Sequence, residues 1–136
     1  TGIGAADVTE VEWITTTADK SDGFTLSVRV RYNEAVTVTG SPTLAVTNGN
    51  QGSGSGRGPH TLVYASGTGT NELVFSLAIA AANAATNAND VLSIGAQNIA
   101  KPGGATMKDT GDGTTDSAVA ISGTQGTAAG TITVVA

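Results

Sequence analysis

Hydrophobic and polar residues alternate along much of this chain. Phe24, Leu26, Val28, Val30 and Tyr32 hold one set of positions, and Thr25, Ser27, Arg29 and Arg31 hold the other. A period of two sends the two sets to opposite faces of a strand, one buried and one in solvent. Leu73, Phe75, Leu77 and Ile79 repeat the pattern. Shorter segments read the same way at 8–15, where Val11 and Trp13 point inward, and at 36–38, 44–46, 61–65, 91–94, 119–121 and 132–134. Gly, Asn and Ser clusters separate them, and no helical stretch is long enough to cover a parallel sheet. The pattern therefore predicts an all-β, antiparallel sandwich with about seven to nine strands. Phe24, Leu26, Val28, Val30, Leu73, Phe75 and Leu77 are its predicted core. The alanine-rich stretch 78–88 is interrupted by Asn83, Thr86 and Asn87 and lacks a sustained apolar stripe, so it predicts no more than one or two helical turns.

Two segments break the pattern. Residues 49–59, GNQGSGSGRGP, are too rich in glycine to hold a fixed conformation alone and are long for a hairpin. Gly52, Ser53, Gly54, Ser55, Gly56 and Arg57 are expected to be exposed there and to contact a partner. Residues 123–130 share the Gly, Thr and Ala character and lead into TITVVA. Val134 and Val135 in that last strand are expected to extend the chain's own sheet or that of a neighbouring subunit.

Composition narrows the picture. The 136 residues, 39% hydrophobic, fit one domain with one core. Only 12% are charged, as exposed β-faces and turns are written rather than helical surfaces. A net charge of -5 with six scattered basic residues forms no positive stripe, so neither nucleic acid nor a membrane surface is an expected partner. Cysteine is absent, which removes disulfides and thiolate metal sites. Thr1 fits the small residue exposed when an initiator methionine is removed, and equally the start of a repeat within a longer chain.

The run YNEAVTVTGSPTLAV at 32–46 resembles the bacterial immunoglobulin-like (Ig-like) repeats of large adhesins, which recur in phage virion proteins. In those repeats an acidic residue and Ala-Val open a strand, Gly-Ser/Thr-Pro turns it, and a Thr-Leu strand follows. YASGTGTNELVFSLAI at 64–79 resembles the next segment, where a Gly-Thr hairpin tip precedes an alternating Leu-x-Phe strand. The resemblance spans residues 8–94. It departs from the family at KDTGDGTTD, 108–116, a lengthened form of the family's Asp-x-x-Gly-Asn turn, and at the insertion 49–59. It implies an Ig-like sandwich with a role in display or assembly.

Candidate chemistry is sparse. Nucleophilic catalysis needs a Cys, or a Ser with a His base, but His60 is the single histidine and no Gly-x-Ser-x-Gly elbow occurs. His60, after Gly58-Pro59, reads as a solvent or interface residue. The glycine-rich loop lacks the Lys-Ser/Thr and following helix of a phosphate cradle. Glu10, Glu12, Glu34 and Glu72 supply paired carboxylates, but their neighbours are threonines, which marks solvated strand faces. Five aromatic residues, one Trp, two Tyr and two Phe, are too few for a ring-stacking sugar groove. Trp13 reads as a core anchor. Asp109, Asp112 and Asp116 could gather oxygen ligands around calcium, with Asp7, Asn89 and Asp90 as additional ligands, although turn Asp and Asn residues usually bond their own backbone.

The leading expectation is therefore a non-enzymatic structural accessory protein, a capsid decoration or other virion protein. It would need no cofactor unless calcium binds, and would attach to a repeated protein lattice at the virion surface as a homo-oligomer, trimer or dimer. The alternatives are a calcium-stiffened repeat of an adhesin at the bacterial cell surface, and a carbohydrate-binding module.

Overall fold

A computed structural model describes residues 6–48, 59–80, 90–111 and 113–135. The chain is all-β, and its strands are β1 (Val8–Trp13), β2 (Ala18–Asp19), β3 (Phe24–Thr39), β4 (Thr43–Asn48), β5 (His60–Ser66), β6 (Thr70–Ile79), β7 (Val91–Ser93), β8 (Gln97–Asn98), β9 (Thr106–Asp109), β10 (Ala120–Ile121) and β11 (Thr131–Val135). Among the described residues, one α-helix, α1 (Gly123–Ala129), sits between β10 and β11. The alanine-rich stretch expected to turn once or twice as helix falls mostly on 81–89, outside the described residues; Ala78 and Ile79 end β6.

Nine strands form one sheet in the order β1-β3-β6-β5-β4-β7-β11-β2, with β9 also paired to β3. Neighbours along it run antiparallel except β11 and β2, which are parallel. The pairing is continuous and curls on itself, and β10 and β8 form a separate two-stranded sheet. Laid flat, eight strands would separate β1 from β2 by about 34 Å. Trp13 and Ala18 are only five residue steps apart, a reach of at most about 18 Å. The ends must therefore curl towards each other, and the contacts show that they do. Trp13 Nε1 donates to Gly130 O at 3.1 Å, joining β1 to the segment just before β11. Gln125 Nε2, on α1, donates to Val8 O at 2.9 Å.

The core fills this curl. Leu26, Val28, Val30 and Tyr32 of β3 meet Val11, Leu44, Val46, Leu62, Leu73, Phe75, Leu92, Met107 and Val134, all essentially inaccessible. Phe24 and Leu77, also expected inside, pack against the cluster from its margin, as does Trp13. Burial of the Tyr32 ring raises its hydroxyl's pKa, and that hydroxyl donates to Ala118 O at 2.8 Å.

The pattern predicts separate strands at 24–32 and 36–38, but β3 is continuous. Its pairing with β6 slips between Arg31 and Val36. Such a bulge bends a strand and redirects it. Beyond it, Val36 to Thr39 pair with β9 on one side. The groups displaced from the ladder find partners elsewhere: Asn33 N donates to Asp7 O, and Ala35 O accepts from Thr110 N.

The Gly/Thr/Ala stretch before β11 is a helix rather than an irregular tail. Ser122 caps it: Ser122 Oγ accepts from Gln125 N at 3.0 Å while Ser122 N donates to Gln125 Oε1 at 2.9 Å. This reciprocal pair satisfies two amides that would otherwise be orphaned, and its Ser-x-x-Gln spacing is a sequence signal for a helix start. Helix propensity alone would not have made a helix here.

Candidate functional site

Three regions carry polar chemistry. The first lies at the root of residues 49–58. Period two on β5 sends His60 inward with Leu62, while Thr61 and Val63 face solvent. His60 is thus only 5% exposed, which corrects its reading as a solvent or interface residue. Asn48 Nδ2 lies 3.1 Å from His60 Nε2 and 3.0 Å from Asp90 Oδ2. An amide nitrogen carries two hydrogens and no free lone pair, so Nε2 must accept and the ring is the neutral tautomer protonated on Nδ1. Burial lowers the His60 pKa from its ordinary 6.5, while the Asp90 charge pushes the other way. No hydroxyl nucleophile joins this cluster among the described residues. What it does is hold three chain segments, ending at Asn48 and beginning at Pro59 and Asp90, to one point.

A proton on Nε2 would face the Asn48 amide hydrogens, so the folded state resists protonation that the unfolded chain accepts. With the folded pKa below the unfolded one, the stabilisation is complete above pH ~6.5 and is lost as pH falls through that value towards the folded pKa. Denaturant unfolding between about pH 7.5 and 5 should show stability declining. The decline should flatten in His60→Gln, since no other histidine exists. An unchanged slope would place the titration elsewhere.

The second region is the outward face of β1, β3 and β6. Register aligns Glu10 with Arg31 and Glu12 with Arg29, and Arg31 in turn with Glu72. Arg31 lies 2.8 Å from Glu10 and 2.8 Å from Glu72, and Arg29 lies 2.9 Å from Glu12. The Glu72 hydrogen bond is the main cause raising the Arg31 pKa. Three of the four candidate carboxylates are therefore in ion pairs on a half-exposed face. Each such pair is worth little in stability, and together they leave most of the charge on this face paired. Glu34 sits apart, within the β3 bulge.

The third region is the hairpin of β9 and residues 110–117. Lys108 and Asp116 face each other across it and form an ion pair, the main cause lowering the Asp116 pKa. Asp109, the next residue, projects to the other face and is 1% exposed. Among the described residues, the members of the spacing-based calcium set are not brought together. Asp109 and Asp116 lie on opposite faces, Asp90 is engaged with Asn48, and Asp7 is exposed near Asn33. Asp112 and Asn89 lie outside the described residues. Among the described residues, no three His, Asp or Glu side chains are grouped to hold a metal.

A groove of about 380 Å³ lies between β7 and α1. Its lining, which includes Ser93, Gly95, Gly126 and Thr131, holds no titratable side chain.

Of the expected interface, Gly52, Ser53, Gly54, Ser55, Gly56 and Arg57 lie outside the described residues. The terminal strand takes the first of its two expected arrangements, within the chain's own sheet: β11 is paired on both sides, to β7 and β2. Val134 is fully buried, and Val135 is 53% exposed.

Compared with family models, curated proteins and solved structures, the chain matches none.

Proposed function

We propose that this chain is a non-enzymatic structural accessory module that attaches to a repeated protein surface, as a capsid decoration protein or other virion protein does. The observation that carries this reading is the buried Asn48–His60–Asp90 cluster, whose Asn48 and His60 flank the glycine-rich insertion in sequence. Burying three polar side chains is costly unless they bond one another. Here they do, and the result is a firm root from which residues 49–58 depart. Ordering glycine-rich backbone costs about 1–2 kcal/mol per residue, so a firm root reduces what a partner must supply when it binds the loop. The rest of the surface is compatible with apposition to another protein. Thr43, Val63, Ser76 and Ser27 form one uncharged row across β4, β5, β6 and β3, and the nearby charges are already paired.

The test is cosedimentation of the chain with virions and with cells from its source. A variant in which residues 52–58 become a two-residue turn is run alongside, with thermal unfolding as the folding control. Virion binding that the folded, shortened variant loses is the expected result. Binding to cell envelopes alone would select the adhesin repeat instead, and binding to neither would overturn assembly altogether.

A further inference from the structure

Buried polar side chains in this fold are generally satisfied, as Asn48, His60 and Asp90 are by one another. Two buried atoms among the described residues are not: Asp109 Oδ2 and Ser117 Oγ have no hydrogen-bond partner. They belong to one hairpin. Asp109 N donates to Thr115 O at 2.8 Å, and Ser117 N donates to Met107 O at 2.9 Å. These bonds set Asp109 opposite Thr115 and Ser117 opposite Met107, so the two side chains are diagonal neighbours on the inner face. Asp109 is 1% and Ser117 3% exposed. The other Asp109 oxygen, Oδ1, accepts from Gly111 N at 2.8 Å, which holds the carboxylate in place and leaves Oδ2 directed elsewhere.

A carboxylate oxygen buried without a donor is among the costliest groups a fold can hold, and a buried hydroxyl beside it adds to the cost. Either atom alone would be a local imperfection. Two on adjacent pairs of the same inner face share the same remedy, a positive centre that accepts oxygen ligands.

We propose that a hard divalent cation, calcium by its ligand chemistry, binds at Asp109 Oδ2 and Ser117 Oγ and fastens the β9 hairpin to the core. Both donors are oxygens, which suits calcium rather than zinc or copper. The chain has no cysteine, and its single histidine is engaged with Asn48. Calcium takes six to eight oxygens and accepts backbone carbonyls and water among them. Two side-chain ligands with one charge define a weak site, with a Kd of about 10⁻⁴–10⁻³ M. Asp116, which the spacing alone would recruit, is excluded because it sits on the outer face with Lys108. The inference goes beyond the assembly reading and holds whichever surface the chain attaches to.

The experiment is calorimetric titration of the full chain with calcium chloride alone, with magnesium chloride as comparison, and thermal unfolding with and without chelator. Saturable calcium binding that raises Tm, falls at least tenfold in Asp109→Asn and in Ser117→Ala, and is unchanged in Asp116→Asn is the expected result. If Asp109→Asn does not fold, Ser117→Ala decides, since it removes one hydroxyl and no charge. No saturable binding up to roughly 10 mM calcium, or binding that Ser117→Ala leaves intact, overturns the site. So does binding that depends on Asp116, which would put the ion on the outer face. None of these readouts involves virions or cells, so failure here leaves the attachment result standing on its own.

Discussion

Phe75→Ala is expected to destabilise the fold by about 3–5 kcal/mol. Phe75 is fully buried at the centre of the sheet, paired with Val28 on one side and Tyr64 on the other. Its ring meets Tyr64 edge to face, with centroids 6.2 Å apart. Truncation removes that contact and leaves a cavity walled by strands whose ladders hold them in register, so the site cannot collapse to fill it. Denaturant unfolding measures the loss, with Ser76→Ala on the opposite face of β6 as the comparison. A loss for Phe75→Ala below about 0.5 kcal/mol, the size of a surface change, would mean that the inner and outer faces are reversed.

Gly126→Ala is expected to destabilise as well, by about 1–3 kcal/mol, although helix propensity taken alone predicts a gain of about 1 kcal/mol. A Cβ on Gly126 would lie 2.1 Å from Ile94 O, a backbone atom with no freedom to turn aside. Helix α1 would have to lift from the chain beside β7, straining the Gln125 bond to Val8 and the Trp13 bond to Gly130. Trp13 is the single tryptophan, so its fluorescence reports the displacement directly. Stabilisation with an unchanged Trp13 spectrum would show that α1 does not rest on Ile94.

The candidate sites were only partly legible. His60 could have been placed inward, because His60, Leu62 and Tyr64 share one face of an alternating strand. The adjacent Gly58-Pro59 suggested exposure instead, and the partner that satisfies its ring nitrogen, Asn48, is 12 residues away in sequence on another strand. The Ser122 to Gln125 spacing announced a helix start that the Gly and Thr content concealed. In KDTGDGTTD the spacing of acids drew attention to Asp109 and Asp116 together. Which one faces the core depends on the register of the returning chain, and the same register brings in Ser117, which no spacing rule singles out.

The sequence by itself determined the all-β class, most of the strands, and which side chains of β3 and β6 form the core. Those properties are local, since a strand's two faces follow from its own period and from the removal of apolar surface from water. Only the tertiary structure decided which strands are neighbours. The placement of β11 between β7 and β2, the bulge that passes β3 from β6 to β9, and the burial of Asp109 away from Asp116 all depend on pairing between distant segments. Strand periodicity is blind to that pairing, because every backbone offers the same donors and acceptors and only the closing of the shared core selects among them.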